Sequence, residues 1–281
     1  MNFKPMDSAT AFAPGNISCI FVIRKTMKPH TSGSLGVGFT IDKGATVTVS
    51  LHKKNTNGIY YNNKKIIFPT VNSVIKKLTN KAVLVKIKSP LPLGSGFGMS
   101  GACALATAYA LSSLLSLKKE KKHLAKIAHI AEVENLTGLG DVINQFYGGV
   151  LIKYEPSYKF RAVRLPIKNT PIFYQCFSGL DTKKTLSDSK KKSKIDAAGL
   201  TALAAIKTSK KDLETITKIA KHFAIESGLL QHPRLKKIIN GVEKRGGKAS
   251  MIMLGNAVYS TIPFKGCKKT RISDRGAYLF I

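Results

Sequence analysis

The stretch that decides the fold is GSGFGMSGA, residues 94–102, a glycine-rich loop that leads directly into an apolar segment. Glycines at this density allow several backbone N–H groups to point toward one spot. A helix that begins there adds its own free N–H groups and the positive end of its dipole. The loop is therefore expected to hold phosphate. Residues 102–117 follow as a helix that is apolar on nearly all sides, which predicts a buried core helix.

Other types of glycine loop fit this stretch less well. Gly96, Gly98 and Gly101 spell the dinucleotide-binding pattern GxGxxG, but Pro90 and Pro92 separate them from the preceding predicted strand. The dinucleotide-binding fingerprint needs its glycines at the end of that strand. A Walker A loop is excluded because the chain has no Gly-Lys-Ser/Thr sequence. A purely structural glycine loop remains as the alternative.

The composition is that of a globular protein with an unusual charge. The 281 residues are 43% hydrophobic and 22% charged, and 46 Lys and Arg against 15 Asp and Glu give a net charge of +31. Such an excess favours anionic partners: nucleic acid, phosphate-bearing metabolites or an acidic membrane surface. The bases are mostly spread-out lysines and there is no Trp, whereas nucleic-acid binders concentrate Arg and aromatic residues. The lysine-rich residues 183–194 are expected to form a solvated loop.

Location and redox state also follow from the sequence. The chain lacks the run of about 20 apolar residues that a membrane helix needs, and its N-terminus has no secretory pattern. We therefore expect a soluble cytoplasmic protein without a membrane partner. The cysteines lie too far apart for a zinc or redox motif, and we expect reduced thiols at Cys19, Cys103, Cys176 and Cys267.

Strands and helices alternate irregularly, which predicts an α+β fold in two lobes. Residues 46–51 alternate strictly, and Asn57-Gly58 predicts a hairpin that joins them to a strand at residues 59–61. A helix is expected at residues 71–78 and a strand at residues 82–87. The other predicted helices are at residues 121–136, 141–147, 194–206, 213–227 and 233–244, and the other predicted strands at 150–154, 172–177, 249–254, 257–262 and 277–281.

Four ordered motifs resemble those of the GHMP kinases, the galacto-, homoserine, mevalonate and phosphomevalonate kinase family. The glycine loop with Pro92 resembles the ATP-binding signature of that family. The other motifs are APGNI (residues 13–17), TGLGD (137–141) and MLGN (253–256). Together with GSLGVG at residues 33–38, they are most similar to the archaeal branch of the family that phosphorylates pantoate. The similarity extends over residues 9–262.

The resemblance implies a fold, a cofactor and a nucleotide site. The expected fold is the two-lobed GHMP kinase fold, with a ribosomal S5 domain 2-like N-terminal lobe (residues 1–160) and an α/β-plait-like C-terminal lobe (residues 161–281). ATP and Mg²⁺ are the expected cofactors. The implied nucleotide-binding residues are Pro92, Gly94, Ser95, Gly96, Phe97, Gly98, Met99, Ser100, Gly101 and Ala102.

Phosphoryl transfer needs a metal held by oxygen atoms and a group that orients the attacking hydroxyl. Glu132 lies nine residues before Asp141, and the loop between them could return both carboxylates to one cleft. The resemblance assigns Mg²⁺ to Ser100 and Glu132 and makes Asp141 the base or orienting group. In the alternative, Ser100 and Asp141 are helix caps and Glu132 is a solvated surface charge. Glu134, the rival metal ligand, points about 200° away around the helix.

The resemblance implies (R)-pantoate as the acceptor. Its carboxylate and hydroxyls need a cation and hydrogen-bonding groups, for which the candidates are Ser34, His129, Lys153 and Thr182. His129 shares a helix face with Glu132. Relatives tend to carry Arg at the position of Lys153, where a point charge replaces a bidentate fork.

Other departures and alternatives concern the substrate. Met99 stands where most family members have Ser, and Asn16 where some have Lys; both argue against mevalonate and galactose. The alternatives are a GHMP kinase with a homoserine or mevalonate-like acceptor and, in another class, a basic RNA-binding protein. We expect no nucleic-acid partner, and a homodimer is left open.

Overall fold

The longest element of the structure is a hairpin of two strands, β1 (Ser8–Arg24) and β2 (Gly33–Leu51). The computed structural model describes residues 7–177 and 189–280. Residues 46–51 form the last part of β2, as their alternation predicts, and both Val47 and Val49 are fully buried.

The hairpin is the centre of the first sheet. Its other strands are β3 (Gly58–Tyr61), β4 (Lys64–Lys65), β5 (Val83–Lys88), β6 (Val150–Lys153), β7 (Val163–Leu165) and β12 (Tyr278–Leu279). Across the described residues the order is β12-β1-β2-β5-β3-β4, while β6 pairs with the first part of β2 and β7 pairs with β6. The chain thus returns to the first sheet at its C-terminal end.

Seven α-helices are found within the described residues. They are α1 (Pro69–Leu78), α2 (Met99–Leu114), α3 (Lys121–Glu134), α4 (Asp141–Tyr147), α5 (Ser189–Thr208), α6 (Leu213–Glu226) and α7 (Pro233–Glu243). Helix α2 packs against β1, β2, α1 and α3 and is buried on nearly all sides, as its apolar sequence predicts. Because α5 begins at Ser189, the expectation of a loop over residues 183–194 is wrong from residue 189 onward. None of the helices described is long and apolar enough to span a membrane.

The second sheet consists of strands β8 (Pro171–Cys176), β9 (Ala249–Ile252), β10 (Ala257–Ser260) and β11 (Lys268–Arg271). Its order is β11-β8-β10-β9, and all pairs are antiparallel. Helix α6 packs on β9, and α7 packs on β9 and β10. Ring contacts connect this sheet to the first part of the chain, with Phe97 5.2 Å from Tyr174 and Phe39 5.5 Å from Tyr259 between ring centroids. The mixed α+β architecture predicted from the sequence is confirmed.

The predicted hairpin at Asn57-Gly58 is wrong. Strand β5 lies between β2 and β3, and β3 runs parallel to β5. The side chain of Asn57 accepts a hydrogen bond from the Val83 amide and donates to Asn72. Asn57 therefore fixes the start of β5 instead of forming a two-residue turn, and the alternating buried residues of β5 take the place beside β2.

The pairing of β1 with β2 has two irregularities. They lie between Pro14 and Gly15 and between Ser18 and Ile20. Such irregularities bend a strand and redirect the side chains near them. Asn16 lies between the two, and its side chain leaves the sheet to meet helix α4.

Candidate active site

A cavity of about 480 Å³ opens between the first sheet, the glycine loop and the loop before α4. Three of the four motifs singled out in the sequence contribute to its walls: the glycine loop, TGLGD and MLGN. The lining residues on which the site depends are Ser18, Ser34, Gly98, Ser100, Asp141 and Lys153.

The glycine loop forms one end of this cavity. Gly94, Gly96 and Gly98 have φ angles of +74°, +86° and +59°, which only glycine adopts without strain. Gly98 is the N-cap of α2, and the first backbone hydrogen bond of the helix runs from the Ala102 amide to the Gly98 carbonyl (3.0 Å). The N–H groups of the first turn before Ala102 thus have no carbonyl within the helix to bond. This geometry suits a phosphate group.

The N- and C-terminal motifs both contact the loop. The backbone N–H of Asn16 donates a hydrogen bond to the Phe97 carbonyl (2.9 Å). A Cβ atom at Gly255 would lie 2.3 Å from the Ser95 carbonyl oxygen, and a Cβ at Gly96 would lie 3.1 Å from Gly255 Cα. These close approaches explain why glycines occur at both places, and they fix the loop against the second sheet.

Asp141 lies against the glycine loop. A Cβ atom at Gly98 would lie 2.8 Å from Asp141 Cγ. Gly140, not Asp141, is the N-cap of α4. The Asp141 side chain instead accepts hydrogen bonds at Oδ1 from Asn16 Nδ2 (2.6 Å) and Ser18 Oγ (3.1 Å). The alternative of a simple capping role therefore does not describe this carboxylate.

Lys153 places a buried cation on the same side of the cavity. Its side chain is 3% exposed and donates to the Gly140 carbonyl and to Asn144 Oδ1, both at 3.0 Å. Burial lowers the pKa of Lys153 to about 8, while the charge of Asp141 acts in the opposite direction. Burial likewise raises the pKa of Asp141, and Lys153 opposes that change. At neutral pH an amine with this pKa is still mostly protonated.

Glu132 is the second acid of the site, and unlike Asp141 it is fully buried. It is 1% exposed, which excludes the alternative of a solvated surface charge. Its Oε1 accepts from Thr137 Oγ1 (3.2 Å), but its Oε2 has no hydrogen-bond partner among the described residues. Cβ atoms at Gly101 and Gly138 would lie 2.7 and 2.6 Å from that oxygen. Burial, followed by the charge of Asp141, raises the pKa of Glu132 to about 8.

Ser100 and Glu134 resolve two further alternatives. Ser100 does not cap α2, since Gly98 holds that position; the residue lines the cavity, and its Oγ donates to Thr70 Oγ1 (3.1 Å). Glu134 is exposed and accepts from Lys77 Nζ (2.8 Å) and Ser73 Oγ (2.9 Å). The rival metal ligand is thus engaged in contacts of its own with α1.

The oxygens of Ser100 and Glu132 fit a magnesium ion. Mg²⁺ prefers hard oxygen ligands and is usually held by one or two carboxylates together with substrate phosphates. Glu132 Oε2 is a buried acceptor that lacks a donor, which is the environment that a cation satisfies. Within residues 7–177 and 189–280, no three His, Cys, Asp or Glu side chains cluster, so most ligands would come from the nucleotide and water.

The four residues expected to bind the acceptor differ in position. Ser34 and Lys153 line the cavity. His129 is 2% exposed, does not line the cavity, and its Nε2 lies 2.9 Å from the Ser32 carbonyl oxygen; burial lowers its pKa. Thr182 lies outside the described residues. The acceptor-binding roles of these residues therefore stay predictions.

Two buried amides in α4 were missed by the sequence analysis. Gln145 donates from Nε2 to the Gly98 carbonyl (2.7 Å), and Asn144 bonds both Lys153 and Asn16. Gln145 follows Asp141 by four residues and so shares its helix face. That spacing was the one signal available, but an amide carries no motif of its own.

Comparisons with known proteins show the family to which the chain belongs. Residues 65–149 match the family model described as the GHMP kinases N terminal domain. The pantoate kinase of Methanocaldococcus jannaschii is 34% identical over 253 residues, which cover 88% of this chain and 90% of that protein. The chain belongs to the GHMP kinase family, among its pantoate kinases.

Further relatives of the GHMP kinases support the assignment. The pantoate kinase of Methanospirillum hungatei is 28% identical over 257 residues, covering 89% of this chain and 86% of that protein. A solved structure described as a phosphotransferase related to the CoA biosynthesis pathway has a TM-score of 0.85 and 25% identity, covering 97% of this chain and 98% of its own. The predicted two-lobed GHMP kinase fold is confirmed. As a member of a kinase family, the chain is an ATP-dependent phosphotransferase.

Proposed function

We propose that the chain transfers the γ-phosphoryl group of ATP to the primary hydroxyl of (R)-pantoate, giving 4-phosphopantoate for coenzyme A synthesis. The observation that carries this proposal is that the glycine loop and a half-buried carboxylate, Asp141, share one cavity. A Cβ atom at Gly98 would lie 2.8 Å from Asp141 Cγ, so the two groups are in contact. The choice of pantoate as the acceptor is supported by the similarity to the pantoate kinases described above.

The chemistry of pantoate fits the lining of the cavity near Gly140. Pantoate has a carboxylate, two hydroxyls and a carbon that carries two methyl groups. Lys153 supplies a cation and Ser34 a hydroxyl near Gly140, while Ile20 and Phe21 are apolar residues of the cavity lining. A pocket with a few polar groups set in apolar walls is typical of small-molecule sites.

The residues of this chain would act mainly through position and charge. The N–H groups at the start of α2 hold the phosphates, and the helix dipole favours their negative charge. Asp141 accepts the hydrogen bond of the acceptor hydroxyl and aligns it with the γ-phosphate. In phosphoryl transfer, most of the rate gain comes from such alignment and from stabilising charge.

Ser100 and Glu132 are the proposed Mg²⁺ ligands. A bound Mg²⁺ would neutralise negative charge on the triphosphate. The unpartnered Oε2 of Glu132 and the cavity-lining Oγ of Ser100 support this placement. A cation there would also offset the desolvation that holds the Glu132 pKa near 8.

A coupled ADP-release assay tests the proposed function. Pantoate, homoserine and mevalonate are compared as acceptors at equal concentrations with ATP and Mg²⁺, and the product is identified by mass spectrometry. We expect turnover with pantoate and a product heavier by one phosphoryl group. Turnover with homoserine or mevalonate but not with pantoate would overturn the choice of acceptor.

Three expectations about the whole chain join this proposal. We propose a nucleotide-binding unit at residues 1–160 followed by a second unit at residues 161–281, a cytoplasmic location, and pantoate and ATP as partners without nucleic acid. Limited proteolysis, cell fractionation and a filter-binding assay with RNA at several salt concentrations test these three points. A homodimer is tested by light scattering.

A further inference from the structure

Three successive hydrogen bonds connect Lys153 to Asp141 through two buried amides. Lys153 Nζ donates to Asn144 Oδ1 at 3.0 Å, and Asn144 Nδ2 donates to Asn16 Oδ1 at 2.8 Å. Asn16 Nδ2 then donates to Asp141 Oδ1 at 2.6 Å. Both asparagines are 0% exposed. The bonds join β6, α4 and β1, so three separate elements contribute to one chain of contacts.

The direction of every bond in this chain is fixed by its two ends. A protonated lysine can only donate, so the atom of Asn144 that faces it must be oxygen. Asp141 Oδ1 is an acceptor, and Ser18 Oγ also donates to it, so the atom of Asn16 that faces it must be nitrogen. A flip of either amide would place two oxygens or two nitrogens together. The asparagines are therefore held in one orientation each.

Both hydrogen bonds that the described residues donate to the Asp141 carboxylate end at Oδ1. The opposite oxygen, Oδ2, is the one left for an acceptor hydroxyl. We propose that Asn144 is a positioning residue. It is oriented by the hydrogen bond from Lys153, it orients Asn16 in turn, and Asn16 then fixes the Asp141 carboxylate for catalysis. This inference rests on the proposed function, since it assumes that Asp141 orients the acceptor.

Gly38 provides a second, independent observation. A Cβ atom at Gly38 would lie 2.6 Å from Asn144 Nδ2, 3.4 Å from Asn16 Oδ1 and 2.9 Å from the Ile17 carbonyl oxygen. Gly38 has no positive φ angle, so its backbone conformation does not require glycine. Glycine is needed here for space, because a Cβ atom would come closest to Asn144 Nδ2, the atom that donates to Asn16. The last glycine of the GSLGVG motif thus makes room for the chain of hydrogen bonds.

The test compares Asn144→Asp with the wild type in two measurements. Aspartate has nearly the size of asparagine and still accepts from Lys153, but it cannot donate to Asn16. Crystal structures of both proteins show whether the Asp141 carboxylate turns. We expect the contact between Asn16 Nδ2 and Asp141 Oδ1 to be lost in the variant. An unchanged Asp141 orientation would overturn the inference, and this result does not depend on which acceptor is used.

Steady-state kinetics supply the second measurement. Misplacing a reacting group by about 1 Å lowers rates by about 100-fold, so we expect kcat of Asn144→Asp to fall by about that factor. The KM for ATP and the nucleotide affinity from calorimetry should stay within about twofold of the wild type, because the glycine loop is not part of the chain of bonds. An unchanged kcat in a folded variant would contradict the proposal. Asn144→Ala is made in parallel so that at least one folded variant is available.

The matched control is Asn72→Asp. Asn72 also accepts a hydrogen bond from another asparagine, Asn57, at 2.8 Å, but it lies outside the cavity. The kcat of Asn72→Asp should stay within about twofold of the wild-type value. If the wild type prefers homoserine or mevalonate, the proposed acceptor fails, and the same comparison made with that acceptor still decides the role of Asn144.

Discussion

The surroundings of Glu132 and Asp141 differ although the two acids are nine residues apart and contact the same loop. Asp141 accepts two hydrogen bonds at one oxygen and lies near a buried lysine. Glu132 has one hydroxyl donor at Oε1 and an unpartnered, buried Oε2. A buried acceptor without a donor is unfavourable in the free protein. The acid beside Lys153 is thus oriented by hydrogen bonds within the protein, whereas the acid beside Gly101 has an oxygen that no described residue bonds, which is why we propose it as a metal ligand.

Under the proposed function, this difference would allow one cleft to bind a polyanion and also to activate a hydroxyl. The Asp141 region is complete before any ligand arrives, which gives a fixed orientation to the acceptor end. If Glu132 holds Mg²⁺ as proposed, a metal ion that enters with the nucleotide would compensate the burial of this carboxylate. Binding of the nucleotide and completion of the site would then be coupled through Glu132.

The greatest loss of activity is expected from a substitution of Asp141. Asp141→Asn keeps the size of the side chain but removes its ability to take up a proton. General acid–base groups contribute about 100- to 10,000-fold to rates, so we expect kcat with pantoate to fall within that range. Nucleotide binding, measured by calorimetry, should be retained because the glycine loop is unchanged.

Glu134→Gln is the matched control for this measurement. Glu134 is an exposed acid whose partners are Lys77 and Ser73, outside the cavity. Its kcat should equal that of the wild type within about twofold. Normal turnover by Asp141→Asn would show that Asp141 has no catalytic role.

A smaller effect is expected on the pH dependence of the free energy of unfolding, which tests the raised pKa of Glu132. The pKa of Glu132 is about 8 in the folded protein and near its ordinary value of 4.5 in the unfolded chain. Between these values the unfolded state loses a proton that the folded state keeps. The free energy of unfolding of the metal-free protein therefore falls as pH rises from about 5 to 8, with a contribution of up to about 1.4 kcal/mol per pH unit.

Glu132→Gln removes this contribution, because glutamine does not titrate. Urea unfolding in the presence of a chelator, at several pH values, measures the difference between the two slopes. The variant should lose less stability than the wild type on going from pH 5 to pH 8. Equal slopes would mean that Glu132 ionises normally in the folded protein. Addition of Mg²⁺ with ADP should flatten the wild-type slope, because a cation favours the ionised carboxylate.

The sequence indicated the nucleotide end of the site because its signals are local. A dense glycine loop followed at once by an apolar helix has a direct structural meaning, and Gly98 does begin α2. The positions of Glu132 and Asp141 relative to each other also depend on a short segment, residues 132–141. Such features need no knowledge of contacts between distant parts of the chain.

The acceptor end was not accessible in this way. Asn16 and Asn144 are bonded across a separation of 128 residues, and buried amides have no characteristic spacing. The same limitation explains the wrong hairpin at Asn57-Gly58, where a local turn signal was overridden by the insertion of β5. Strand β11, KKTR, was missed because its largely exposed, lysine-rich sequence has no alternation of apolar residues.

The smallest expected effect concerns Ser100 and sharpens the assignment of the metal. Ser100→Ala removes an oxygen that lines the cavity and donates to Thr70 Oγ1 at 3.1 Å. Weakened metal sites lose about 10- to 100-fold in affinity. We expect the lower end, about tenfold, because Glu132 and the phosphates would still bind the ion.

The measurement is the Mg²⁺ concentration that gives half-maximal activity, taken at saturating ATP and pantoate. The matched control is Ser73→Ala, since Ser73 donates to Glu134 on the outside of α1 and α3. That variant should need the same Mg²⁺ concentration as the wild type. If Ser100→Ala also needs no more Mg²⁺ than the wild type, then Ser100 is not a metal ligand and its hydroxyl serves only to bond Thr70. Glu132 would in that case be the single proposed protein ligand, and the contrast with Asp141, which accepts two hydrogen bonds at Oδ1, would be even greater.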